Sequence, residues 1–171
     1  MKTTVLLFLL ACSLFCCREA RADSVTYTIE PTGGRFLYSF TLTNTGDTGG
    51  GLFDLFLAIP TAIGNIDTAA IGAPPRWGDP AGGFLFFGPN TGPSNSFIEW
   101  AADFGAELPI GSSLGGFSFL STVNIIEPIQ FDLNGRNSFA TAVAVPEPAT
   151  LILLGAGMLG LAVAQRLPKR S

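Results

Sequence analysis

Apolar and polar residues alternate through most of residues 23–145. Val25, Tyr27 and Ile29 alternate with Thr26, Thr28 and Glu30. Phe36, Tyr38, Phe40 and Leu42 alternate with Leu37, Ser39, Thr41 and Thr43, and the run ends at Asn44-Thr45-Gly46-Asp47, a turn signal. A period of two sends one set to the core and the other to the opposite face of a sheet. Phe53, Leu55, Leu57 and Ile59 share one face of a further strand, Leu52, Asp54, Phe56 and Ala58 share the other, and Pro60 ends it. Residues 84–87, 96–101, 117–123, 129–133 and 138–145 predict more strands, separated by Gly, Pro and Asn clusters. Residues 72–83 form the longest irregular loop. No apolar stripe at helical spacing is long enough for a helix of about ten residues. About eight short strands with turn signals predict an all-β body, an antiparallel β-sandwich whose many Phe side chains fill the space between two sheets.

The two ends follow different rules. Residues 1–22 read as a secretory signal peptide: Lys2 supplies the positive start and residues 5–11 an apolar helical core. Ala20 and Ala22 place small residues at −3 and −1 of a signal-peptidase cut, so the mature chain would begin at Asp23. A lipoprotein reading through Cys12 is weaker, because the apolar run before it is short and Leu10 is an uncommon neighbour. Cys12, Cys16 and Cys17 all lie in this segment, which leaves the mature chain without thiols or disulfides.

At the other end, residues 149–164 carry no charge and no polar face, which predicts a single transmembrane helix. At helical rise this stretch covers about 24 Å, short of a ~30 Å hydrocarbon core, a gap that snorkelling or local thinning closes. A basic tail follows at 165–171, where Arg166, Lys169 and Arg170 predict a cytoplasmic end and an exported body. Ala156, Gly160 and Ala164 make a small-xxx-small row that belongs to the Gly/Ala-rich character of the span. Immediately before the span stand Pro146, Glu147 and Pro148. The two prolines fix φ and remove two donors, so neither strand nor helix runs through, and an extended tripeptide with one carboxylate results.

This order of Pro-Glu-Pro, Gly/Leu-rich span and basic cluster resembles the PEP-CTERM sorting signal of Gram-negative bacteria, over residues 145–170. The resemblance implies recognition by exosortase, an integral-membrane transpeptidase-like enzyme. Pro146, Glu147 and Pro148 would be the recognition motif, Gly155, Gly157 and Gly160 part of the span, and Arg166, Lys169 and Arg170 the basic stop. One departure is that Leu167-Pro168 splits the basic cluster. The expectation is a precursor held in the inner membrane, then processing and delivery to the cell surface or extracellular matrix, often beside exopolysaccharide production. Residues 38–46 and 111–120 look like the immunoglobulin-like bodies that precede such tails. The domain reading is therefore a signal peptide at 1–22, an exported β-sandwich at 23–145 and a sorting signal at 146–171, with signal peptidase, exosortase and the membrane as partners.

Charge and residue inventory narrow the chemistry of the body. Arg35, Arg76 and Arg136 stand against eleven acids in 23–145, a net charge of −8, which gives no footprint for nucleic acid. The body has no His, Cys or Lys, so the usual activated nucleophiles are missing, and Gly49-Gly50-Gly51 reads as a loop rather than a phosphate cradle. Carboxylates remain. Glu99 and Asp103 sit near Trp100 and Phe104, but acids this numerous are close somewhere by chance, and a solvated surface explains them better than a glycosidase pair. Asp79 and Asp47 are loop candidates for calcium, without an EF-hand spacing. The expectation is a non-catalytic body without a cofactor. The alternative is a polysaccharide-binding module in which Trp77, in the Pro/Gly-rich loop beside Arg76 and Asp79, stacks on a sugar; Trp100 alternates within a strand and belongs to the core.

Overall fold

The computed structural model describes residues 22–78, 82–92 and 94–145. The signal helix, the transmembrane helix at 149–164 and the basic tail expected from the sequence lie outside the described residues. Among those described, no helix is long and apolar enough to cross a membrane.

The body is all-β. Its strands are β1 (Ser24–Thr32), β2 (Arg35–Thr43), β3 (Asp54–Ile59), β4 (Ile66–Gly72), β5 (Phe84–Pro89), β6 (Ser96–Ala101), β7 (Ser113–Ser121), β8 (Gln130–Leu133), β9 (Ala140–Thr141) and β10 (Val143–Ala144). They form two five-stranded sheets, ordered β10-β1-β2-β7-β4 and β5-β6-β3-β8-β9. A short 3₁₀ turn, Ile63–Asn65, precedes β4.

Alternation does what the pattern requires. Tyr38, Phe40 and Leu42 of β2 are buried, as are Val25 and Tyr27 of β1 and Phe117 and Phe119 of β7. Rings on neighbouring strands stack, with Tyr38 against Phe119 at 4.9 Å and Tyr27 against Phe40 at 5.4 Å between centroids. From the second sheet Leu55, Leu57, Ile59, Ile98 and Trp100 complete the same core. Trp100 meets Phe117 edge-on at 5.5 Å, a direct contact between the sheets, and its indole N–H donates to the Gly72 carbonyl at 3.1 Å. Trp100 is thus a core residue whose polar atom is satisfied.

Four features depart from the sequence reading. First, β4 is a strand that alternation did not announce. Its middle residues Thr68 and Ala69 are exposed, and its register against β7 shifts between Asp67 and Gly72. Second, the segment expected as one strand at 138–145 divides. β9 pairs with β8, Ala142 turns into the core, and β10 pairs parallel with β1 in the other sheet. The pairing is therefore not wholly antiparallel. Third, the Phe residues do not all fill the core: Phe40, Phe117, Phe119 and Phe131 do, whereas Phe53, Phe84, Phe86, Phe87, Phe104 and Phe139 are exposed. Fourth, β2 and β7 are joined through a bulge, where Phe40 faces Phe117 but Thr41 faces Gly115. Gly116 is the residue left over, and its φ of 101° is open to glycine alone at little cost.

Candidate functional site

Two places carry functional interest: the point where the chain leaves the body, and the outer face of the second sheet. At the first, Val145 donates its N–H to the Tyr27 carbonyl at 2.8 Å, one residue before Pro146. The tail therefore starts from the free edge of the first sheet. Pro146, Glu147, Pro148, Arg166, Lys169 and Arg170 lie outside the described residues, as does Ala20 of the expected cleavage site. Ala22 is exposed. Asp23, the expected first residue of the mature chain, is buried, and its carboxylate organises the 45–48 turn. Oδ1 accepts from the N–H groups of Thr45 at 2.7 Å and Gly46 at 3.2 Å, and Oδ2 from that of Thr48 at 2.9 Å. Burial by itself would raise the Asp23 carboxyl, but these bonds to Thr45 and Thr48 prevail and hold it below the usual carboxylate range.

The loop of Trp77 behaves otherwise than expected. Trp77 is only 1% exposed, meets Phe117 edge-on at 5.3 Å, and donates its indole N–H to the Ala106 carbonyl at 3.0 Å. The irregular backbone lies on the outside while the side chain plugs the core. A sugar cannot stack on this ring, so the Trp77 site is corrected: the residue is structural. Asp79 lies outside the described residues. Arg76, at φ 66°, pairs with Asp103 at 3.3 Å and donates to the Phe104 carbonyl at 2.6 Å. Asp103 thus belongs to this loop, and Glu99 belongs elsewhere.

Glu99 lies on the outer face of the second sheet. Register places Phe86, Glu99, Phe56 and Asp132 in one row across β5, β6, β3 and β8. Asp54 stands two residues from Phe56 on the same face of β3. A cavity of about 170 Å³ is lined by Asp54, Phe56, Glu99, Asp132, Asn137 and Phe139, with the Gly135 backbone. Its rim is the 134–137 turn, in which Asn134, Gly135 and Asn137 take φ of 55°, 62° and 54°. Asn134 fastens that turn to β3: its N–H donates to the Asp54 carbonyl at 3.2 Å, and its Oδ1 accepts from the Phe53 N–H at 2.9 Å.

The three carboxylates differ in their partners. Asp132 is fully engaged, accepting from the N–H groups of Asn137 at 2.9 Å and Ser138 at 3.0 Å. Asp54 is 8% exposed, and its Oδ1 has no hydrogen-bond partner. Burial, then the charges of Glu99 and Asp132, push the Asp54 carboxyl from an ordinary 3.8 up to about 7, against a hydrogen bond from the Gly135 backbone. Among the described residues no group of His, Cys, Asp and Glu is arranged to hold a metal ion. Asp47, one of the loop acids considered for calcium, is exposed beside a separate cavity with Asp23 and Arg136.

The rest of this face is aromatic and amide-rich. Phe56 stacks on Phe97 at 5.5 Å and 8°, Phe139 meets Phe56 edge-on at 5.9 Å, and Phe84 stacks on Phe86 at 6.2 Å and 12°. A second cavity, of about 370 Å³, opens where β3 ends and is lined by Ala58, Asn90, Thr91, Asn95, Glu127 and Gln130, among others. Asp54 and Asp132 were not singled out by sequence reasoning. Their signal was an acid set between apolar neighbours, Phe53-Asp54-Leu55 and Phe131-Asp132-Leu133.

Comparison with known families bears on the tail. Residues 144–167 match the PEP-CTERM protein-sorting motif. The chain therefore carries a sorting signal of that class, beginning within β10, and such a signal implies an exported protein processed by exosortase. No curated protein matches the chain.

Proposed function

We propose that this protein is a non-catalytic component of the cell surface or extracellular matrix, exported through its leader and handed to exosortase by its tail. The observation that carries the reading is the sorting motif over residues 144–167. Signal peptidase would release the body at Asp23. The apolar span at 149–164 would hold the precursor in the inner membrane until the Pro146-Glu147-Pro148 segment is processed. Strands distant in sequence are neighbours, β2 with β7 and β3 with β8, which supports reading the body as an immunoglobulin-like sandwich. A dense core and a residue inventory without His, Cys or Lys in the body support a structural rather than a chemical role.

The test is the intact mass of the protein recovered from producing cells with and without exosortase. The expected species begins at Asp23 and ends near residues 146–148 only in the competent cells. Retention of residues 149–171 in both strains would overturn the reading and make the protein a plain C-terminally anchored one.

A further inference from the structure

The two sheets end in four edge strands, and the four are not alike. β9 and β10 are two residues long. β4 has an irregular register, and its Asp67 is held by Arg35 at 2.6 Å. Short, irregular or charged strands are poor templates for another chain. β5 is different. It runs six residues, Phe84–Pro89, in unbroken register with β6, and it carries no charge. Among the described residues β6 is its only strand neighbour.

The backbone groups on the free side of β5 can be assigned. The Asn90 N–H donates to the Asn95 carbonyl at 2.9 Å, and on the other side of β6 the Ala102 N–H donates to the Phe53 carbonyl at 2.7 Å. Bonding alternates along an antiparallel pair, so Phe84, Phe86 and Gly88 direct their backbone groups to β6. Leu85 and Phe87 direct theirs outward, one N–H and one C=O each. These two residues stand symmetrically about Phe86. A second β5 laid antiparallel with Phe86 opposite Phe86 brings Leu85 opposite Phe87 twice, which satisfies all four outward groups on each strand. Pro89, which has no N–H to donate, falls beyond this set.

The side chains suit the same two-fold arrangement. Phe84 and Phe86, stacked at 6.2 Å, project from the outer face, and Phe84 would lie opposite Gly88 of the second copy, which has no side chain to crowd the ring. Phe87 projects from the inner face beside Leu85, which packs on the core. Phe84, Phe86 and Phe87 are 63%, 53% and 43% exposed, which offers about 300 Å² of ring surface per copy. The strand edges raise the total for a pair towards about 1,000 Å², the low end of specific interfaces. The nearest acid in the row is Glu99, opposite Phe86 on β6, and the two copies of Glu99 would stand three strand spacings apart, about 14 Å, beyond the screening length. A charge-free edge thus lets two acidic bodies meet. β5 also lies four strand spacings from β9, about 19 Å, and β9 leads into β10, where the tail departs.

We propose that β5 is the self-association edge of this protein, pairing antiparallel with β5 of a second copy about a two-fold axis at Phe86. The pair is closed, because each copy uses its one long free edge. Pairing needs neither leader cleavage nor tail processing, so it and the proposed function can fail separately.

The test is sedimentation equilibrium of the full-length chain in density-matched non-ionic detergent. The wild type should form dimers with a Kd of about 10–100 µM. Phe86→Lys sets like charges directly opposite each other at the axis and should weaken the dimer at least about tenfold, as should Phe86→Glu. Mixing the Phe86→Lys and Phe86→Glu chains should restore dimers, because the two charges then face each other. Phe139→Lys, on the same outer face but away from this edge, should leave the wild-type Kd unchanged. Unaltered thermal unfolding of the variants separates lost pairing from lost fold. A chain that stays monomeric up to about 300 µM would overturn the proposal. A dimer that survives Phe86→Lys would overturn it too, by placing the contact elsewhere, as in the apolar span. Equal loss in Phe139→Lys would assign association to the outer face rather than the edge, and failure of the mixed chains to pair would refute the two-fold register.

Discussion

Replacing Asp54 by Asn should make the protein more stable at neutral and alkaline pH. In the folded chain the Asp54 carboxyl is pushed from 3.8 to about 7, first by burial and then by Glu99 and Asp132. The raised folded value means that folding takes up a proton between pH 3.8 and about 7, where the unfolded carboxyl has lost its proton and the folded one has kept it. The neutral form's advantage is fully present below pH 3.8 and is lost as pH rises to about 7, where the folded group must ionise beside two other carboxylates. A carboxyl moved from 3.8 to about 7 corresponds to about 4 kcal/mol before screening. Asp54 lines a cavity open to water, which screens the neighbouring charges, so about 2–4 kcal/mol is the range expected. Asn has nearly the size of the neutral acid and keeps an oxygen for the Gly135 backbone, but it cannot ionise. Urea unfolding of the processed protein, followed by fluorescence of the buried Trp77 and Trp100, would be measured from pH 4 to 8.5. The wild type should lose stability across pH 4–7 and Asp54→Asn should not, so that the variant is the more stable at pH 8. A variant no more stable than wild type at pH 8, or one that retains the full pH slope, would refute the electrostatic account of this cavity.

Other perturbations test other parts of the body. Asp23→Asn replaces the Oδ2 acceptor of the Thr48 N–H with a donor and should cost about 1–3 kcal/mol at pH 7. Because the folded Asp23 carboxyl is held below its ordinary 3.8, its contribution is present above that value and is lost as pH falls through the lower folded one, so the difference from wild type should vanish in strong acid. Trp77→Ala should cost about 3–5 kcal/mol by leaving a hole against Phe117 and an unpaired Ala106 carbonyl, read by thermal unfolding; a neutral result would return Trp77 to the surface. Gly83→Ala should cost about 2–4 kcal/mol, since φ is 82° and a Cβ there would stand 2.5 Å from the Ala101 carbonyl oxygen. An urea midpoint unchanged in Gly83→Ala would show that this loop does not hold the geometry described.

Face alternation was legible wherever a strand has one side in the core. β1, β2, β3 and β6 appear where the period of two put them, because burying Tyr38 or Leu57 dictates the register of the whole strand. β4 was not legible because it is an edge strand with an irregular register, whose residues Thr68 and Ala69 reach solvent. Trp77 shows a different limit. Its local sequence, Pro74-Pro75-Arg76-Trp77-Gly78, reads correctly as a loop, but Phe117 and Ala106 decide where the side chain goes. The acidic cavity required long-range pairing of β3 with both β6 and β8, which brings Glu99 and Asp132 to either side of Phe56. No spacing along the chain encodes that meeting. The sorting tail, by contrast, is linear, and its order alone carries it.

The division of the last strands ties these parts together. Ala142 enters the core between β9, which closes the second sheet, and β10, which lies at the edge of the first. Its N–H donates to the Ile129 carbonyl at 2.9 Å, so the crossing from one sheet to the other is itself pinned. The sorting tail consequently leaves from the first sheet, whereas the acidic and aromatic face belongs to the second. The chain that leaves at Val145 therefore departs from the sheet opposite that face. A tail departing from β9 would have emerged on the sheet that bears the face. The buried Ala142 crossing is what places the exit on the sheet opposite that face.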